Sequence, residues 1–285
     1  METAILKFFE NIRNPFLDYF FGFFTLLGEE FIVAGIILVI FLLWNKNLGE
    51  RILLTLLTAT TLTTGLKGIG RARPYHAGIV SNGNIDVSDL GATSSFPSGH
   101  ATCISSMCIG GTIPFYKKKA MPIIASCSGV LIVLVCISRL YFGVHYPTDI
   151  LAGIAVGTLS SILWAIVYSK FYNQRLYIFL AFALCTIPCL FIPALQINDN
   201  IFQMSALMLA VSGYLFFEKY IVPLHDCTKW LHRLYRVLIL IAIAAILYLP
   251  LHFLPDGNIT AFFKILILAG GTLPAATTLF KLFKI

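Results

Sequence analysis

Nine apolar runs, at roughly 23–44, 50–66, 98–116, 120–138, 147–169, 176–194, 200–217, 234–253 and 260–280, constrain this chain more than anything else in it. Each reaches or approaches the ~20 residues an α-helix needs to cross a hydrocarbon core of about 30 Å. A helix satisfies its own backbone hydrogen bonds within the segment, as the bilayer interior demands. The chain is 58% hydrophobic and 12% charged, about half the charged share of a soluble domain. The expectation is an all-α fold: a polytopic membrane helix bundle of about nine transmembrane helices. Glu29 and Glu30 interrupt the first of them, and the preceding NPFLDYFFGFFTLLG reads as an aromatic-rich interfacial segment.

Charge settles which loops share a side. One set of alternate loops carries Lys46, Arg51, Lys117, Lys118, Lys119, Lys170, Arg175, Lys219, Lys229, Arg233 and Arg236, with Lys281 and Lys284 near the C-terminus. The later loops of the other side, IPALQINDN and PLHFLPDGN, hold no Lys or Arg. By the positive-inside rule the N-terminus is external and the C-terminus cytoplasmic. The net charge of +7 is thereby absorbed by topology and lipid headgroups, and nucleic acid is not expected as a partner. Six of the seven cysteines lie in apolar runs and read as small buried hydrophobes, not disulfides or metal ligands. No cleavable signal peptide is expected, because Glu2, Lys7, Glu10 and Arg13 punctuate the first fifteen residues. Gly153 and Gly157 form GxxxG in the fifth run and predict close helix packing there.

Three polar clusters fall on the outer side of this layout: LKGIGRARP at 66–74, FPSGH at 96–100 and SRLYFGVHYPTD at 138–149. Charges in such a setting are expensive and read as functional by default. Ser98 is placed to cap the third helix, Gly99 lets a ligand approach the backbone, and a helix N-terminus offers amide donors to an anion. Pro147 suits the first turn of the fifth helix. Asp149, in that turn, can reach back to His145, fix its tautomer and leave the other ring nitrogen free to attack. Lys67, Arg71, Arg73 and Arg139 have few acids to pair them, since the intervening loop offers only Asp86 and Asp89. They call for an anionic ligand such as phosphate.

Together these clusters resemble the signature of the type-2 phosphatidic acid phosphatase superfamily, which includes glucose-6-phosphatase and the vanadium haloperoxidases: Lys-x6-Arg-Pro, then Pro-Ser-Gly-His, then Ser-Arg-x5-His-x3-Asp. Pro97, Ser98, Gly99 and His100 match the second motif, and Ser138, Arg139, His145 and Asp149 the third. The first departs from the pattern, because five residues separate Lys67 from Arg73. On a helix one missing residue turns a side chain by about 100° and shifts it about 1.5 Å, so Arg71 competes with Lys67 for that position.

The resemblance covers about residues 20–170. It implies a six-helix phosphatase core over 1–196 and a three-helix membrane extension over 197–285. It also implies a phosphoryl transfer without metal or other cofactor. His145 would be the nucleophile, Asp149 its partner, and His100 the general acid and base. Lys67, Arg73, Ser98, Gly99 and Arg139 would hold the phosphate oxygens. The expected substrate is a phosphorylated membrane lipid, a monophosphate such as phosphatidate or a polyprenyl diphosphate, met on the non-cytoplasmic face. The alternatives are a soluble phosphoester such as a sugar phosphate, and a non-hydrolytic anion or lipid transporter on the same scaffold.

Overall fold

The structure, a computed structural model, describes residues 1–81, 94–191 and 200–285. Asp86, Asp89 and most of the loop IPALQINDN lie outside the described residues. Every regular element among the described residues is helical, so the all-α expectation holds. In chain order the helices are α1 Glu2–Asn11, α2 Pro15–Leu27, α3 Glu30–Val39, α4 Lys46–Leu66, α5 Gly99–Thr112, α6 Met121–Tyr141, α7 Pro147–Lys170, α8 Arg175–Thr186, α9 Asn200–Tyr220, α10 Trp230–His252 and α11 Asn258–Leu282.

Among the described residues six helices are long and apolar enough to cross a membrane: α4, α6, α7, α9, α10 and α11. A seventh span exists if α2 and α3 count as one segment bent by 54° at a short break. The protein is an integral membrane protein, and of the nine expected spans six or seven meet this measure of length and apolarity among the described residues. Two short helices and one bend account for the difference. Pro114 follows α5 and Pro188 follows α8, and each ends an apolar run as an α-helix, because proline offers no amide hydrogen and crowds the preceding turn. Thus α5 has 14 residues and α8 has 12. The first apolar run is not one straight helix either. It breaks at Gly28 and Glu29, and its far end, Ile40–Trp44, winds as a π-turn.

The chain forms two compact units, Met1–Ile37 with Arg51–Ile166, and Leu38–Glu50 with Val167–Ile285. In the first, α2 enters behind a proper start signal. The Asn14 side chain accepts the Leu17 amide at 3.0 Å and Pro15 occupies the first helical position. Its Phe21 packs with Tyr141, Phe142 and Val144 from the end of α6. The GxxxG of α7 meets α5 at backbone distance. A Cβ at Gly157 would stand 2.1 Å from Ser105 Oγ and 2.9 Å from Thr102 O, and one at Gly153 would stand 2.6 Å from Ser98 O. Small residues let the two helices touch, which in lipid replaces the hydrophobic drive of a soluble core. Gly157→Ala is therefore expected to lower stability by about 1–3 kcal/mol, read as a lower unfolding temperature in detergent. Gly153→Ala should in addition depress turnover, because the atom it displaces belongs to the Ser98 cap.

In the second unit α9 packs on α8 and α11, and α10 on α11. Its core holds Phe41, Leu42, Tyr214, Leu224, Leu273, Ala276 and Phe280. Glu50 pairs with Arg175 and Lys46 with Glu218. The helix expected to complete the phosphatase core, α8, lies in this unit.

Candidate active site

The spacing of Ser138, Arg139, His145 and Asp149 is the spacing of a helix stop, a turn and a helix start. At the end of α6 the Gly143 amide donates to Leu140 O at 3.0 Å and the Val144 amide to Arg139 O at 3.2 Å, with Gly143 in the left-handed region at φ 67°. These two bonds are a Schellman stop, which takes glycine at the left-handed position. The chain reverses within three residues and sets His145 beside the turn that carries Arg139. Pro147 then opens α7, and Asp149, third along it, accepts the Tyr146 amide through Oδ2 at 2.8 Å. That is the carboxylate half of a capping box, so the aspartate is fixed by the helix start it stabilises.

Ser98 caps α5 as expected, accepting the Ala101 amide at 3.4 Å. The Ser98 amide donates to Asp149 O at 3.0 Å, which ties the start of α5 to the start of α7. The Ser95 amide donates to Arg71 O at 2.8 Å, which brings in the segment after α4. The three motifs thus meet through the backbone.

At the centre lies His145, 3% exposed. Its Nδ1 stands 2.7 Å from Ser95 O and 3.6 Å from Asp149 Oδ2. A carbonyl only accepts, so Nδ1 carries the proton and Nε2 is the free lone pair. That nitrogen faces Arg73 Nη1 at 3.3 Å, while the same Nη1 donates to Val144 O at 3.1 Å. Burial, joined by the positive charges of Arg73 and Arg139 and opposed by Asp149, holds His145 below the ordinary histidine value. Its imidazole is neutral near pH 7.

The sequence spacing assigns Asp149 one imidazole nitrogen; Asp149 does lie on the Nδ1 side at 3.6 Å, and the nearer partner there is the Ser95 carbonyl. Asp149 is occupied elsewhere as well: its Oδ1 accepts Arg71 Nη1 at 2.7 Å. Arg71 also donates to Glu2 Oε2 at 3.0 Å and stacks on Tyr146 with its guanidinium carbon 3.8 Å from the ring centre. So Arg71 is committed to Asp149 and Glu2, which favours Lys67 as the first-motif cation. Lys67 sits in a 3-10 turn past α4, within range of the charges of Arg73, Arg139 and Glu30.

Arg139, 3% exposed, donates to Thr25 Oγ1 at 2.8 Å, and Thr25 shares a 2.8 Å bond with Ser138. Its Nε is buried with no hydrogen-bond partner among the described residues, and so is the Tyr75 hydroxyl. Tyr75 is close enough to Arg73 and Arg139 for their charges to interact with it. Buried donors without acceptors are costly unless something else takes their hydrogens, and an anion among these guanidiniums is suited to do so.

The acids were underestimated from sequence. Glu29 Oε2 lies 3.2 Å from His100 Nε2. Gly99 is so near Glu30 that a Cβ there would be 3.7 Å from Oε1. Glu2 accepts the Thr148 hydroxyl at 2.7 Å and the Thr148 amide at 3.1 Å, and the hydroxyl bond is the first of the contacts that hold its carboxyl below the usual range. The available signal was the acids themselves, since a carboxylate inside an apolar run rarely lacks a use.

A PAP2 superfamily profile matches residues 49–175. Phosphatidylglycerophosphatase B of Bacillus subtilis is 32% identical over 170 residues, 55% of this chain and 78% of its own length. Lipid A 4'-phosphatase of Bacteroides thetaiotaomicron is 29% identical over 192 residues, 60% of this chain and 78% of its own. The crystal structure of a transmembrane PAP2-type phosphatidylglycerolphosphate phosphatase from Bacillus subtilis superposes with a TM-score of 0.51 at 29% identity, covering 59% of this chain and 85% of that one. With its three motifs joined at the helix ends and these relatives alongside, the chain belongs to the PAP2 superfamily.

Proposed function

We propose that this protein hydrolyses the phosphate of a membrane lipid through a phosphohistidine on His145, without a metal ion. The observation that carries the reading is the buried His145 itself. Ser95 O and Asp149 occupy its Nδ1 side, and its lone pair on Nε2 faces the Arg73 guanidinium. A phosphoryl group seated between them would meet the nucleophile and its counter-charge together.

In the first step Nε2 attacks phosphorus, the bond to the leaving oxygen breaks, and His100 gives that oxygen a proton. In the second, His100 takes a proton from water as the water oxygen bonds phosphorus, and the P–N bond breaks to release phosphate and restore His145. Arg73, Arg139 and Lys67 spread the charge of the oxygens, with the Ser98 hydroxyl and the Gly99 amide as further donors. Lipid is favoured over a soluble phosphoester because the relatives are named for lipid substrates and the site terminates apolar helices. The loop charges favour a site on the non-cytoplasmic face.

The test is a phosphate-release screen in mixed micelles across lipid monophosphates, lipid diphosphates and sugar phosphates, each with and without EDTA. Turnover of a lipid phosphate, unchanged by chelator and at least about tenfold above any sugar phosphate in kcat/KM (a margin of ~1.4 kcal/mol), is expected. A folded protein that releases nothing, or only with added divalent metal, contradicts the proposal.

A further inference from the structure

The break between α2 and α3 places a carboxylate where no motif calls for one. Gly28 lies against the imidazole of His100: a Cβ there would stand 3.1 Å from His100 Cδ2 and 2.6 Å from Val135 Cγ1. Only glycine admits so close an approach, and it delivers the next residue, Glu29, to His100 Nε2 at 3.2 Å. The Glu29 backbone is fixed from both sides, its amide donating to Leu26 O and its carbonyl accepting from Val33, each at 3.0 Å. The side chain is 43% exposed while that of His100 is 16% exposed. Glu29 is thus the more open member of the pair.

From this geometry we infer that Glu29 is a positioning residue for the acid–base histidine, doing for His100 what Ser95 O and Asp149 do for His145. The inference rests on the function proposed above. Glu29 accepts the Nε2 hydrogen of His100, which leaves Nδ1 as the nitrogen that exchanges its proton with substrate. When the ester bond breaks, the proton passes from Nδ1 to the leaving oxygen, and His100 is left neutral with Nε2–H still donated to Glu29. When water attacks, its proton returns to Nδ1 and the carboxylate offsets the imidazolium charge. Among the described residues, Arg139 on α6 and Lys67 beyond α4 also act on His100, and Glu30 at the start of α3 lies beside its neighbour Gly99. Both cations oppose an imidazolium, so the nearest counter-charge is Glu29.

In the phosphorylation step, which kcat/KM reports, a residue acting through the general acid matters only when the leaving group needs a proton; the later hydrolysis of the phosphohistidine is common to both probes and enters kcat alone. The experiment compares full-length wild type, Glu29→Gln, Glu29→Asp and His145→Ala in mixed micelles on two probes, dioctanoyl phosphatidate and p-nitrophenyl phosphate. The first leaves as an alkoxide that must be protonated, and the second as a stable phenolate. For Glu29→Gln we expect kcat/KM on phosphatidate to fall about 10²-fold, while kcat/KM on the aryl phosphate falls less than about threefold. Glu29→Asp should recover part of the phosphatidate loss. Retained aryl turnover is also the proof of folding. Equal losses on both probes would assign Glu29 a structural role, and phosphatidate turnover within threefold of wild type would remove it from the mechanism. In either case, a His145→Ala protein dead on both probes leaves the proposed function standing. Activity in His145→Ala, or wild type inert on both probes, overturns that function and this inference with it.

Discussion

His145→Ala protein is expected to release phosphate at least about 10³-fold more slowly than wild type, and to trap no label when wild type, quenched during turnover of a radiolabelled lipid phosphate, retains it on protein. The size follows from the chemistry. Removing a nucleophile abolishes the covalent route entirely, and what survives is the slower direct hydrolysis assisted by charge and orientation. Because His145 is buried, the same substitution leaves a cavity, so loss of activity alone does not separate chemistry from misfolding. Inorganic phosphate provides the control. Arg73, Arg139 and Lys67 are untouched in the variant, and phosphate should still raise its unfolding temperature. A variant that keeps labelled protein, or that keeps turnover within tenfold, removes His145 from the role of nucleophile.

Asp149→Asn should cost nearly as much, about 10²–10³-fold in kcat, with little change in KM. The carboxylate is fully buried and serves three partners: the Tyr146 amide, Arg71, and the Nδ1 side of His145 at 3.6 Å. Asparagine has nearly the same shape but turns one oxygen into a donor. Either the Tyr146 amide or the Arg71 guanidinium then meets an N–H where it had an acceptor, at about 1–3 kcal/mol for the unsatisfied group. The negative charge that favours the developing positive charge on His145 also goes. Arg71→Gln separates these effects, since it removes the ion pair and leaves the carboxylate beside His145. If Arg71→Gln matches Asp149→Asn in lost kcat, Asp149 acts by holding the fold. If Arg71→Gln retains most of its turnover, the charge beside His145 is what matters.

These two cases show how far the motifs could be read in advance. Ser138, Arg139, Gly143, Pro147 and Asp149 lie on one continuous stretch, and their spacing spells out a helix stop, a reversal and a helix start, each governed by bonds between residues a few positions apart. The same holds for Ser98 as the cap of α5. Such features are legible because their partners are neighbours in the chain. The first motif was ambiguous for the same reason in reverse. Whether Lys67 or Arg71 is free to serve the proposed site depends on what else Arg71 meets, and its ion-pair partners are Glu2 and Asp149, 69 and 78 residues away. The lengths of α5 and α8 were less legible, because hydropathy runs on past Pro114 and Pro188 where these helices have stopped, whereas α10 and α11 continue through Pro250 and Pro274.

By itself the sequence determined the membrane-embedded all-helical class, the family, and which residue types gather at the helix ends, because hydrophobic length, cap chemistry and charge are local quantities. Only the tertiary structure decided how those groups are shared. It put the Ser95 carbonyl, 50 residues from His145, on the ring nitrogen that Asp149 also approaches. It tied up Arg71 in an ion-pair network, left the Tyr75 hydroxyl without a partner among the described residues beside two guanidiniums, and folded Glu29 onto His100. Each of these is a competition among groups far apart in the chain for the same few ångströms, and a competition of that kind is resolved only when the helices pack.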